Sequence, residues 1–294
     1  MRLFGNLSKK VWKSFLFNWL ENNPKAIFFS TMNKERILGL FLRYTYIYRR
    51  SWIRILEFIF WPVMDLLVWG YLTLYLSGSS NNLSGPFQFL IGAMILWDVL
   101  YRTQLGITVS FLEDVWSKNL INLFVSPITI EEFFAATILV GVIKSLIILG
   151  LLGAIAAFLY HFNLMQLGSY ILPLLGNLFL MGSACGILTI SLLIRWGQAA
   201  ESLAWAIPIL FQPFAAVFYP LEVLPSSIRP FSFLIPATHV FEGLRSGLQG
   251  NYDYNHLLWA TFLNLCYLTL SYLLFKFFFS IAKEKGLLVK LGTQ

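Results

Sequence analysis

Six apolar runs, each long enough to cross a bilayer, constrain this chain more than any other feature. They fall at 52–76, 87–111, 132–160, 168–194, 200–219 and 256–280. A helix rises about 1.5 Å per residue, so roughly 20 apolar residues bridge a hydrocarbon core of about 30 Å. In lipid every backbone N–H and C=O must find its partner within the protein, and runs of this length do so as helices. The composition agrees, being 58% hydrophobic and 12% charged, where soluble domains carry about 25% charged residues. The expected fold is an all-α membrane protein of six transmembrane helices.

Charge sets the expected orientation. Of the 21 Lys and Arg residues, 11 lie at or before Arg54, which reads as a cytoplasmic end facing anionic lipid, with no nucleic-acid partner. The connections 77–86 and 161–167 contain no Lys or Arg, whereas the C-terminal stretch carries Lys276, Lys283, Lys285 and Lys290. Both termini are therefore expected in the cytoplasm, which requires an even number of spans. Residues 1–50 read as a cytoplasmic segment, 51–283 as the membrane domain and 284–294 as a cytoplasmic tail. Within the first segment Arg36, Arg43 and Arg50 share a helical face opposite Ile37, Leu38, Phe41 and Tyr48, the pattern of an amphipathic helix in the headgroup plane.

The segment 111–134 is the long polar interruption inside the membrane domain. Trp116, Leu120, Leu123 and Phe124 form one apolar stripe, with Glu113 and Asp114 expected at that short helix's N-terminus, where negative charge is favoured. Pro127 stops it, and Thr129 with Glu132 forms a capping box for the next helix, with Ile128 and Phe133 as its staple. Between 112 and 132 four acids (Glu113, Asp114, Glu131, Glu132) meet one Lys118. A protein partner is the expected reason for that acidity; a membrane-surface helix without a partner is the alternative.

Four charged residues fall near the bilayer centre: Asp65, Asp98, Arg102 and Lys144. Asp98 and Arg102 lie one turn apart and can pair, and Asp65 can reach Lys144 if the first and third spans touch. Charges at that depth serve either as a clasp between helices or as an ion or substrate relay. Gly182 and Gly186 offer a close-packing face on the fourth span, against the alternative of isolated glycines. Residues 219–245 are too apolar for a loop and too broken by proline for a span, so a re-entrant pair of short outer helices is expected. There is no Gly-x-x-x-x-Gly-Lys-Ser/Thr motif for ATP, and His161, His239 and His256 are scattered along the chain. Cys185 and Cys266 sit in apolar runs and read as small buried hydrophobes.

The order of these features resembles the membrane subunits of ABC exporters of the type-2 permease class, over nearly all of 34–283. Carrying the resemblance are Phe60-Trp-Pro-Val-Met-Asp-Leu-Leu-Val-Trp-Gly70, Leu90-Ile-Gly-Ala-Met-Ile-Leu-Trp97, the stretch Glu113–Pro127 and Pro236-Ala-Thr-His-Val-Phe-Glu-Gly-Leu-Arg245. It implies an ATP-driven exporter component with no catalysis in this chain. The subunit would be a homodimer in the cytoplasmic membrane, its substrate an amphipathic drug, lipid or lipid-linked glycan. ATP and magnesium would sit on a separate ATP-binding subunit. The coupling helix that docks this subunit would lie between the second and third spans, carried by Glu113, Asp114, Trp116, Leu120 and Phe124, with the turn 195–201 as a second contact. Trp97, Tyr101, Phe211, Phe214 and Phe218 would line the substrate path. The rival reading is an ion-coupled secondary transporter using the four midplane charges.

Overall fold

A computed structural model describes residues 32–76 and 85–285, and every regular element among them is helical. The expected N-terminal stretch 1–31, most of the first outer connection and the tail from 286 lie outside the described residues. The helices are α1 (Lys34–Arg50), α2 (Trp52–Leu76), α3 (Gly85–Trp116), α4 (Leu120–Val125) and α5 (Ile130–Tyr160). They continue as α6 (Ile171–Trp196), α7 (Leu203–Phe211), α8 (Arg229–Ser232), α9 (Pro236–Leu248) and α10 (Tyr254–Glu284), with 3-10 turns at Leu164–Tyr170, Gly197–Ala200 and Leu221–Val223.

Four of these stretches are long and apolar enough to cross a membrane: Trp52–Leu76, Ile130–Tyr160, Leu164–Trp196 and Tyr254–Glu284. The run at 87–111 becomes part of α3, a helix of 32 residues, which spans about 48 Å but carries Asp98, Arg102, Glu113 and Asp114. The run at 200–219 does not form a continuous helix. Its helical part, α7, has 9 residues with Pro208 inside it, about 14 Å of rise, and the chain then passes through turns around Pro213.

The core is built on α3 and α6, which pack extensively on each other and on α5 and α10 respectively. Small residues set those distances. A Cβ added at Gly182 would lie 2.7 Å from the carbonyl oxygen of Leu100, and one at Gly186 would lie 2.9 Å from Cβ of Ile107. The Gly-x-x-x-Gly pair is thus the α3–α6 contact. At the α3–α5 crossing a Cβ on Gly141 would sit 2.6 Å from the carbonyl oxygen of Thr103, and one on Gly106 would meet the Cα of Gly141. Backbones this close leave room for no side chain.

Buried amides then lock the other helices to this pair. Gln104 Nε2 donates to Thr108 Oγ1 at 3.0 Å and to the carbonyl of Ala204 at 3.0 Å, tying α3 to the start of α7. Asn264 Nδ2 donates to Asn177 Oδ1 at 3.0 Å, and Thr261 Oγ1 donates to the same oxygen at 3.1 Å, joining α10 to α6. Away from the core, α2 and α10 present rows of exposed apolar side chains, among them Ile53, Val68, Leu258 and Phe262. Cys185 is buried in α6, but Cys266 lies on the exposed face of α10, which corrects the expectation that both are buried.

Candidate functional site

The polar segment after α3 is built differently from its sequence expectation. α3 runs on as far as Trp116, so Glu113 and Asp114 stand at its C-terminal end. There the helix macrodipole disfavours negative charge, the reverse of what a separate short helix starting at Glu113 would offer. Lys118 takes a left-handed conformation (φ 56°) and turns the chain into α4. The unfavourable position of the two acids is offset by cations from α1 and the start of α2. Arg43 pairs with Asp114, Arg54 pairs with Glu113, and Tyr44 donates to Asp114 Oδ2 at 2.6 Å. Burial and the Asp114 carboxylate hold the Tyr44 phenol far above its ordinary range, so it remains a proton donor.

The other two acids are used in the same way. Glu132 closes the capping box on Thr129 and also accepts from the backbone N–H of Asn33 at 2.9 Å, with Arg36 at 3.8 Å. Ile128 and Phe133 pack in one apolar cluster with Leu40 and Tyr44, as a staple requires. Glu131 accepts from Tyr272 and faces Lys276 at 3.7 Å on α10. All four acids of the segment therefore have partners inside the chain. These pairs account for the acidity of the segment within the chain itself.

The docking ridge changes accordingly. Leu120 is 0% exposed and Asp114 is 0% exposed, so neither offers surface, and Glu113 is buried against Arg54. Leu120 turns inward because α4 packs its apolar side on Phe111, Leu112 and Phe133 rather than presenting it. Trp116 is 44% exposed; the side chain of Phe124 lies outside the described residues. What the segment presents instead is Lys118, Asn122 and the flanks of Arg36 and Arg43. Between α1 and α4, Asn122 with Arg36 and Arg43 borders a shallow groove of about 410 Å³.

The second feature is a half-open cavity of about 450 Å³ bordered by α2, α3 and α5, with Tyr48 of α1 and Trp205 of α7 at its edges. All four midplane charges line it, together with Arg54, Glu57 and Glu113. Asp98 and Arg102 pair along α3, Nε to Oδ1 at 3.2 Å. Asp65 and Lys144 are not paired. Lys144 instead sets its Nζ 3.0 Å from the ring centre of Tyr48. The reason is register: Gly106 meets Gly141 and Thr103 Oγ1 bonds Ser145 Oγ at 3.2 Å, which fixes Lys144 beside Tyr48.

Of the expected path residues, Tyr101 lines this cavity. Trp97 is buried against Phe241, ring centres 6.4 Å apart, so it packs the core and opens on no path within this chain. Phe218 stacks on Trp69 at 5.1 Å, Phe211 packs partly buried against the core, and Phe214 is exposed beyond α7. Two histidines that are far apart in sequence come together, His239 Nδ1 to His256 Nδ1 at 3.4 Å, with His239 Nε2 at 2.9 Å from the carbonyl of Phe233. Their spacing of 17 residues carries no local signal. Glu57, Trp61 and Trp205 were likewise not singled out as site residues, though Glu57 and Trp61 share one α2 stripe with Asp65 at i, i+4 and i+8.

Comparison with curated proteins found no match. The family model described as ABC-2 type transporter matches residues 40–248, over two thirds of the 294 residues. The match begins inside α1 and ends at the last residue of α9, so the clasped segment, the cavity and the broken fifth run all lie within it. The chain is a multi-pass membrane protein, a transport component of an ABC system, and it belongs to the ABC-2 type transporter family.

Proposed function

We propose that this chain is the membrane subunit of an ATP-driven exporter in the cytoplasmic membrane, acting as a homodimer. A separate ATP-binding subunit docks on the segment joining α3 to α5. The clasp is the observation that carries this reading. A segment pinned by ion pairs to both α1 and the start of α2 moves with them, so a displacement of 113–132 is delivered to the cavity through Arg54 and Tyr48. Family membership implies an ATP-binding partner, and that partner holds the ATP and magnesium. The docking element runs from Glu113 to Val125, but its contact face is Lys118 and Asn122, flanked by Trp116. With the acids consumed internally that face is basic, so the partner's face is acidic.

Six crossings fit this role: α2, α3, α5, α6, the α7 region and α10, with both termini in the cytoplasm. α7 crosses in company with the turns that follow it, and α8 and α9 form the re-entrant outer structure. Substrate passes between two copies along Tyr101, Phe211, Phe214 and Phe218, and is amphipathic. The test is co-purification of the ATP-binding subunit and ATP-driven transport by Lys118→Glu/Asn122→Asp, a change that leaves every clasp residue in place. Association should fall at low salt, and added salt should narrow the difference from the parent. Parental association and parental transport together would remove this segment as the docking face.

A further inference from the structure

Seven charged side chains line the cavity: Arg54, Glu57, Asp65, Asp98, Arg102, Glu113 and Lys144. Four of them cancel in pairs, Arg54 with Glu113 and Asp98 with Arg102. Lys144, Glu57 and Asp65 have no ion pair or hydrogen bond from their charged groups among the described residues. Within the cavity Glu57 and Asp65 are exposed and Lys144 is half-buried, so all three charges stand open to an occupant carrying both signs.

From these remaining charges we propose that the cavity binds the head of a zwitterionic amphiphile, its anionic group on Lys144 and its ammonium group among Glu57, Trp61 and Asp65. The proposal rests on the reading of the chain as a transport subunit, and names the substrate class for it. Trp61 lies between the two carboxylates on one α2 stripe and is 56% exposed, the arrangement by which an aromatic face and anionic neighbours hold an organic cation. The volume of about 450 Å³ falls within the range of small-molecule sites, about 300–1,000 Å³. On the neighbouring face of α2 an apolar groove of about 500 Å³, lined by Trp52, Ile55, Ile59 and Phe60 among others, offers a bed for the chain of the amphiphile.

The full-length protein in a nonionic detergent is titrated with three amphiphiles of one chain length, each below its micellar concentration. Their heads are phosphocholine, phosphate and trimethylammonium, and the readout is quenching of tryptophan fluorescence. The phosphocholine form should bind about tenfold tighter than either singly charged form, the worth of one charge-assisted contact. Lys144→Met should cost about that factor for the phosphocholine and phosphate heads and leave trimethylammonium unchanged. Glu57→Gln/Asp65→Asn should do the reverse. Lys144→Arg retains the charge and should retain binding, and it serves if Lys144→Met yields too little protein. Equal binding of all three heads, or indifference of the phosphate head to Lys144→Met, overturns the proposal. The ATP-binding subunit is absent from this titration, so a negative result leaves the docking reading standing, and failed docking leaves this site standing.

Discussion

The clasped segment and the membrane cavity carry similar charges and treat them in opposite ways. In the segment after α3, Glu113, Asp114, Glu131 and Glu132 each find a cation in the chain, and all four cations come from helices far away in sequence. In the cavity Lys144, Glu57 and Asp65 have no ion pair among the described residues, and Asp98 pairs only with Arg102, its neighbour on one helix. Charge is easier to leave exposed near water than within a membrane, so the economy runs against expectation. Complete pairing where solvent is close points to mechanical coupling of 113–132 with α1. Incomplete pairing at depth points to a site awaiting a ligand.

The comparison breaks first at the point that joins the two regions. Gly141→Val would push a side chain into the backbone of α3 at Thr103, and both regions hang on that crossing. We expect no properly folded protein, read as loss of the monodisperse peak in detergent, because neither backbone can yield. A mutant that folds normally would mean that α3 and α5 can separate without harm.

Next in size, Asp114→Asn strands Arg43 and weakens the acceptor of Tyr44. Removing one member of a buried pair costs roughly 3–5 kcal/mol, and the partial exposure of Arg43 puts this case near the lower end. Asp98→Asn should cost a similar amount by stranding Arg102, and Asp98→Leu/Arg102→Met should recover it. Thermal unfolding in detergent measures both. If the double variant recovers stability but loses transport, the Asp98–Arg102 pair belongs to the transport site and not to the scaffold.

Lys144→Met is the sharpest contrast. It removes a charge that has no carboxylate partner, so stability should hold or rise while binding of an anionic head falls. A loss as large as that of Asp114→Asn would mean that Lys144 is structural. The smallest expected effect is that of Lys118→Glu, an exposed change with a stability cost within about 0.5 kcal/mol. Its consequence should appear only in salt-dependent association with the ATP-binding subunit.

Much of the scaffold was legible because its signals are local. The first, third, fourth and sixth runs became helices within a few residues of their expected limits, and the capping box at Thr129 and Glu132 formed as its spacing implies. The fifth run was legible only in part, because hydropathy is blind to backbone: Pro208 and Pro213 leave a short helix followed by turns. The period joining Trp116 to Leu120 carried no common face because Lys118 breaks the helix between them, and Leu120 turns toward the core.

The sequence by itself determined that the chain is a helical membrane protein, that its basic end precedes the first span, and that acids gather after the second run. Only the tertiary structure decided where those charges go. Arg43 reaches Asp114 across 71 residues and Arg54 reaches Glu113 across 59, separations over which sequence spacing carries no geometric information. The deciding contacts are steric: glycines at 106 and 141 bring α3 onto α5, which places Lys144 beside Tyr48 and out of reach of Asp65. Ion pairing acts only over a few ångströms, so the packing of backbones selects which charges are neutralised and which remain open to a ligand.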